Sequence, residues 1–332
     1  MSFSRGYCIF SAFITLFDNS MSLSLQLPRF CHAFLRFPGT NAGVSHAINL
    51  HKRAISTQGV TRCAATSRSA FDPEQARLFE EEQIVAVTFD DKPLKPISKR
   101  AGHENRKGPP LHRAFSVFLF DTQNRLLLQK RAPTKITFPN AWTNTCCSHP
   151  LWSEHELGDD RQDPVLGCKR AAIRKLEHEL GIPISSLRHE DFIYMSRIHY
   201  ISDSGAEWGE HEIDYILLAR KDVVLTPNEN EVSETRYVAA PELKAMMRRA
   251  ELHRGESPEV ILAEDAALGG AQGVGGRDPE QEDVRGHIYF TPWSRAIMER
   301  WLYTWWPDVG ADMGKLEKHR DTARIHRIGR VD

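Results

Sequence analysis

The chain has 332 residues, 41% hydrophobic and 26% charged, with a formal net charge of −1. A chain of this length can bury a sizeable core in one large or two ordinary domains, its hydrophobic share excludes a wholly disordered protein, and its near-zero charge removes the electrostatic basis for general nucleic-acid binding. The longest apolar run, Tyr7 to Phe17, is about half of a membrane span, and six cysteines over this length do not make a disulfide scaffold.

The charge is unevenly placed. Residues 1–71 carry Arg5, Arg29, Arg36, Lys52, Arg53, Arg62 and Arg68 against a single acid, Asp18, which leaves the rest of the chain at −7. This stretch is rich in Ser and Phe and holds no sustained period of 2 or 3.6. An acid-poor, Arg- and Ser-rich leader has the composition of an organelle transit peptide. A disordered extension that targets nothing is the bland alternative. A secretory signal built on Arg5 and the apolar run is a third, but it lacks a clear small-residue cleavage site after Asp18. Met21 offers a second start. Localisation therefore stays open between the cytoplasm and an organelle (mitochondrion or plastid), and the fold is expected to begin at residue 72.

From there the composition is globular. Asp72 and Pro73 read as the N-cap and first position of a helix. Gln83 to Phe89 alternates and is β-branched, a strand signal closed by a turn at Asp90-Asp91. Phe115–Phe120 and Leu126–Gln129 are apolar runs joined by a hairpin signal at Asp121 to Arg125. Pro164 to Gly181 has helical spacing at Leu166, Ala172, Ile173, Leu176 and Leu180, with Gly181 at the C-cap. Phe192–Ile201 and Ile213–Arg220 are strand-like, and Pro241–Leu252 is a second helix. The segment 263–286 includes a Gly-rich run that cannot pack and reads as a solvated loop. Pro292–Trp306 is an aromatic-rich helix whose tryptophans are mostly core. Residues 311–332 form a basic C-terminal tail, whose stretch Lys315–Arg330 is expected to fray. The fold class is α/β (α+β): one domain over about 72–310, a mixed sheet with flanking helices.

Three clusters could do chemistry. Cys146 and Cys147 are adjacent, too close for an ordinary disulfide, and on an extended segment they point to opposite faces. His149 shares the face of Cys147, and a cation there would lower the thiol pKa. Two small buried hydrophobes is the alternative reading. Glu210 and Glu212 likewise share one face, where metal binding or acid chemistry would offset their repulsion; otherwise they mark a charged surface strand. His103 and His112, with His149 and the two glutamates, would fill an octahedral divalent site. Lys99, Arg131, Lys135 and Arg174 are candidate clamps for a diphosphate.

Four long blocks then carry a resemblance: PLHRAFSVFLF (Pro110–Phe120), LLLQKRAPTKITFP (Leu126–Pro139), TNTCCSHPL (Thr143–Leu151) and RIHYISDSGAEWGEHEIDYILL (Arg197–Leu218). They resemble the type I isopentenyl-diphosphate delta-isomerases over nearly all of 74–306. The resemblance implies a Nudix-like sheet sandwiched between helices and a 1,3-proton shift that interconverts isopentenyl and dimethylallyl diphosphate in isoprenoid biosynthesis. It implies Cys147, Glu212 and Tyr200 as catalytic residues, and His103, His112, His149, Glu210 and Glu212 as ligands of one divalent metal (Mg²⁺, Mn²⁺ or Zn²⁺). Glu179 would help hold a second ion, Mg²⁺, at the diphosphate. Lys99, Arg131, Lys135, Ser148 and Trp293 match substrate-contacting positions, with Arg174 or Lys175 a further one. The implied partner is a small-molecule diphosphate, with no nucleic acid, no membrane span and a monomeric chain. Which of Cys147 and Glu212 gives the proton in a given direction is left open. Against the Nudix box of hydrolases, Lys175, His178 and Leu166 stand where carboxylates are needed and Glu179 alone survives, which argues against diphosphate hydrolysis. A non-catalytic Nudix-like binding module remains as a third reading, which the intact Cys147 and Glu212 disfavour.

Overall fold

The computed structural model describes residues 72–159, 163–252 and 288–331; the leader 1–71, with Cys8, Cys31 and Cys63, and the Gly-rich segment 263–286 lie outside the described residues. Helix α1 (Pro73–Glu81) starts where Asp72 accepts from the Glu74 and Gln75 amides, and Pro73 gives up no needed donor there. Strands β1 (Gln83–Val87) and β2 (Pro93–Ser98) form a hairpin, with the two prolines of β2 tolerated because it is an edge. Next come α2 (Lys99–His103), β3 (His112–Phe120), β4 (Leu126–Arg131), β5 (Trp142–Thr143), β6 (Cys146–Ser148) and α3 (Glu154–Leu157). Helix α4 (Pro164–Leu180) ends at Gly181, whose φ of 62° is the left-handed cap that glycine adopts without strain. Strands β7 (Phe192–Ser204), β8 (Trp208–Arg220) and β9 (Val232–Val238) and helices α5 (Ala240–Leu252), α6 (Pro292–Ile297) and α7 (Tyr303–Ala311) follow, a π-helical turn joining the last two. Strand β10 (Ile325–Arg330) comes last.

The strands make one ten-stranded mixed sheet in the order β10-β7-β8-β3-β1-β2, with β4 and β6 also on β3, and β5 and β9 on β4. Strand β3 runs parallel to β8 and is buried at every position, which its unbroken apolar run requires. Its two faces feed two cores. Phe118 and Phe120 pack with Ile216, Leu218 and the aromatic helices carrying Trp293, Trp305 and Trp306; Phe115, Val117 and Leu119 pack with Cys168, Ala172 and Leu176 of α4. The expected helix–sheet–helix sandwich is thus present, and three of the four tryptophans of Pro292–Trp306 are core.

The basic tail departs from the expectation. It does not fray: Met313–His319 is a 3₁₀ helix anchored by fully buried Leu316, and β10 pairs in parallel with β7. Its charges point outward, so composition reads it as solvated, while the backbone satisfies an otherwise open sheet edge. Strand β9 is a second departure, because VSETRYV is polar on its exposed middle positions and gives no apolar alternation to read. Strand β8 begins five residues before the predicted Ile213, so Glu210 and Glu212 sit inside it.

A buried ionic group locks the central strands from behind. Asp91, in the left-handed turn of the β1–β2 hairpin, accepts from Arg113 Nε and Arg197 Nη1 at 2.8 and 2.7 Å and from Tyr215 Oη.

Candidate active site and metal centre

Register on three neighbouring strands assembles the first part of the site. Glu212 of β8 lies opposite His112 of β3 on one side and Tyr200 of β7 on the other, which makes the three side chains neighbours on one face. Tyr200 Oη donates to Glu212 Oε2 at 2.5 Å. Burial and the nearby Glu212 charge push the tyrosine well above its ordinary value, so it keeps the proton it shares. Glu210 shares the face by alternation. His149 arrives just beyond β6, and His103 from the last position of α2.

The imidazoles are oriented before any ion is considered. His103 Nδ1 donates to Lys99 O at 2.6 Å, and His112 Nδ1 to Pro110 O at 2.8 Å. A carbonyl only accepts, so each of these two rings, when neutral, presents Nε2 as a lone pair. The Nε2 atoms face carboxylates: His103 Nε2 is 3.0 Å from Glu210 Oε2 and His112 Nε2 is 3.3 Å from Glu212 Oε1, while His149 Nε2 is hydrogen-bonded to Glu212 Oε1 at 2.8 Å. The ring centroids lie 4.9–5.0 Å apart in a near-equilateral triangle, and the five ligand atoms fall within 4.8 Å of one another. His112 Nε2 and Glu210 Oε2 are buried without a hydrogen-bond partner. Facing lone pairs repel, and each orphaned polar atom costs about 1–3 kcal/mol. A divalent cation among the five would relieve both, so these residues fit a metal. Burial, then its two imidazole neighbours, hold His149 well below its usual value, as a neutral ligand requires. Burial alone would raise Glu212, but contact with His112 and Tyr200 draws it below the usual carboxylate value, leaving an anionic carboxylate of the kind a metal ligand needs.

Strand β6 splits the cysteine pair as alternation demands. Cys146 is fully buried in the α4-side core, and Cys147 packs on the opposite side, in the pocket. Cys147 Sγ lies 3.9 Å from both Arg131 Nη1 and Thr143 Oγ1. The expected lowering of this thiol by His149 does not hold. His149 is neutral, and burial pushes Cys147 up to about 12, with Arg131 offsetting only part. The group is a thiol at neutral pH. Alkylation of Cys147 by iodoacetamide at pH 8 is therefore expected to run about 10³-fold slower than that of a free cysteine, because only the thiolate reacts. A rate like that of free cysteine would contradict the protonated thiol.

The same pocket is lined by Lys99, Arg131, Lys135, Ser148, Glu179 and Trp293, and by Tyr200, His103, His149, Glu210 and Glu212. His112 stands behind this lining. Arg174 is not part of it: it pairs with Glu156 at 2.6 Å. The pocket lining carries two chemistries. In its apolar part the Trp293 ring lies 6.0 Å from Tyr200 in a stacked arrangement and 5.2 Å from Phe138 edge-on. In its charged part each lysine already has a carboxylate: Lys99 with Glu82 at 2.8 Å, Lys135 with Glu231 at 2.5 Å.

Residues 110–258 match the NUDIX domain. The chain is 41% identical to an isopentenyl-diphosphate delta-isomerase of Gibberella zeae, over 77% of this chain and 88% of that one. It is 42% identical to the Aspergillus fumigatus enzyme of that name, over 77% and 83%, and 43% identical to that of Schizosaccharomyces pombe, over 77% and 95%. The chain belongs to the isopentenyl-diphosphate delta-isomerase family.

Within that family frame the altered Nudix box has a structural meaning. Lys175 is 1% exposed, with its ammonium 2.9 Å from His178 Nδ1 and 3.3 Å from Glu179. A hydrolase needs carboxylates to gather metals there; this isomerase has a buried cation. Motif reading missed Glu82 and Glu231, and also Gln75, Leu78 and Phe79, which α1 brings to the pocket. No linear signal marks them, because their places at the site are set by pairing and packing between elements far apart in the chain.

Proposed function

We propose that this isopentenyl-diphosphate delta-isomerase moves the double bond of isopentenyl diphosphate to give dimethylallyl diphosphate, with Cys147 and Glu212 as its proton-handling pair. One observation carries the reading: a part-buried thiol that holds its proton and a buried carboxylate that lacks one line a single pocket. The strands support it, since β6 and β8 flank β3 from opposite sides and present these two groups on one face.

Moving the double bond adds a proton to the terminal alkene carbon and removes one from the allylic carbon, so the balance needs one donor and one acceptor, exchanged on reversal. The path between has tertiary carbocation character. Trp293 offers its π face to that charge, and the buried walls keep water from capturing it. Tyr200 steadies Glu212 by hydrogen bond. Lys99, Lys135, Arg131 and Ser148 locate the diphosphate, and hence the alkene, by proximity. The two lysines are already balanced by Glu82 and Glu231, so the anionic group favours an additional cation, Mg²⁺, which Glu179 of the same lining would help hold. An ion in the His103, His112, His149, Glu210 and Glu212 cluster would supply fixed positive charge that tunes the proton affinity of Glu212.

Full-length protein incubated with isopentenyl diphosphate and Mg²⁺ is expected to yield the allylic isomer and no free phosphate; phosphate without isomer would overturn the reading. Glu212→Gln should lose both first-site metal and turnover, because one carboxylate serves both. Full metal occupancy in that variant would contradict the shared role.

A further inference from the structure

Arg174 has the charge of a diphosphate clamp and the position of something else. Its Nε and Nη2 form a bidentate pair with Glu156, at 2.6 and 2.9 Å, and Nη2 also donates to the carbonyl of His149 at 3.2 Å. Glu156, 4% exposed, accepts in turn from the Leu151 amide at 2.7 Å. The pair therefore grips the backbone of the His149–Leu151 segment at two points. That segment carries the metal-facing imidazole and follows directly on Cys147 and Ser148.

The grip is rigid because its base is. Helices α3 and α4 meet so closely at Gly167 that a Cβ there would lie 2.1 Å from the Glu156 carbonyl oxygen. Glu156 therefore cannot drift away from Arg174 without parting the two helices. On its other side Arg174 Nη1 approaches Glu82 at 3.7 Å, and Glu82 holds Lys99, whose carbonyl orients His103. One guanidinium thus connects the backbones that aim two of the three imidazoles.

We propose that Arg174 is a positioning residue for the His₃Glu₂ metal centre, acting with Glu156 on the backbone of His149, and not a ligand of the diphosphate. This rests on the metal-centre reading above. An arginine suits this role because its planar fork meets a carboxylate at two points and still has a donor for a carbonyl, a geometry that a lysine lacks.

The test uses the full chain and reads metal affinity by chelator competition, separately from steady-state kinetics at saturating metal. Arg174→Met and Glu156→Gln should each weaken first-site metal binding by about 10- to 100-fold, the usual cost of losing an orienting partner. Their KM for isopentenyl diphosphate should stay within about twofold of the wild-type value once metal saturates. Arg174→Lys should recover only part of the affinity. Glu156→Gln keeps the shape and an acceptor for Leu151, so it remains informative if Arg174→Met folds poorly. Wild-type metal affinity in both variants, or a KM raised about tenfold or more at saturating metal in Arg174→Met, would overturn the proposal. His112→Ala separates the two readings. If it binds metal as the wild type does, the metal centre itself falls and the positioning role with it; if it loses metal while Arg174→Met and Glu156→Gln do not, the positioning role alone falls.

Discussion

Cys147→Ser is expected to lower turnover by about 10²- to 10⁴-fold, the usual contribution of a placed acid or base, while Cys146→Ser keeps most of its activity. The two residues are adjacent and chemically identical, so the contrast isolates position. Cys147 lines the pocket beside Arg131 and Thr143. Cys146 lies in the opposite core, its thiol 3.5 Å from Glu179 Oε2, an acceptor that a serine hydroxyl could also use. Serine at 147 is nearly isosteric, so substrate affinity should change little and the loss should fall on kcat. Equal loss in both variants would show that the pair acts as a unit and that the assignment within it is wrong.

Asp91→Ala is expected to cost about 3–5 kcal/mol of stability, read as a lowered midpoint in urea, because it strands the buried Arg113 and the part-buried Arg197. Arg113 is 2% exposed and gives Asp91 its Nε, while Arg197 gives its Nη1. With the carboxylate gone, neither guanidinium has another acid within reach among the described pairs. The loss should also reach the site. Arg113 and Arg197 sit on β3 and β7, the strands that bring His112 and Tyr200 to Glu212. A change below about 1 kcal/mol would show that the cluster is solvated rather than locked.

What could be read from the chain follows a physical divide. Period and capping marked α1, α4 and α5 to within a residue or two, because Asp72, Pro73 and Gly181 act on their own neighbours. The same locality made the Cys147/Cys146 and Glu210/Glu212 faces legible, since alternation in a strand needs only the backbone. Strands β9 and β10 were not legible, because their polar or basic side chains hide a role set by distant backbone partners, β4 and β7.

By itself, the sequence determined which residue types are present for the chemistry and on which face of its own element each one lies. It also carried the family resemblance, in four blocks long enough to stand without a structure. Only the tertiary structure decided which of those faces meet. It paired Arg174 with Glu156, made the Cys147 thiol weaker as an acid where a neighbouring histidine suggested the reverse, and brought Glu82 and Glu231 to lysines 17 and 96 residues away. The reason is common to all three. A side chain's charge state and partners depend on burial and on groups that close loops of tens of residues, and no local pattern encodes either.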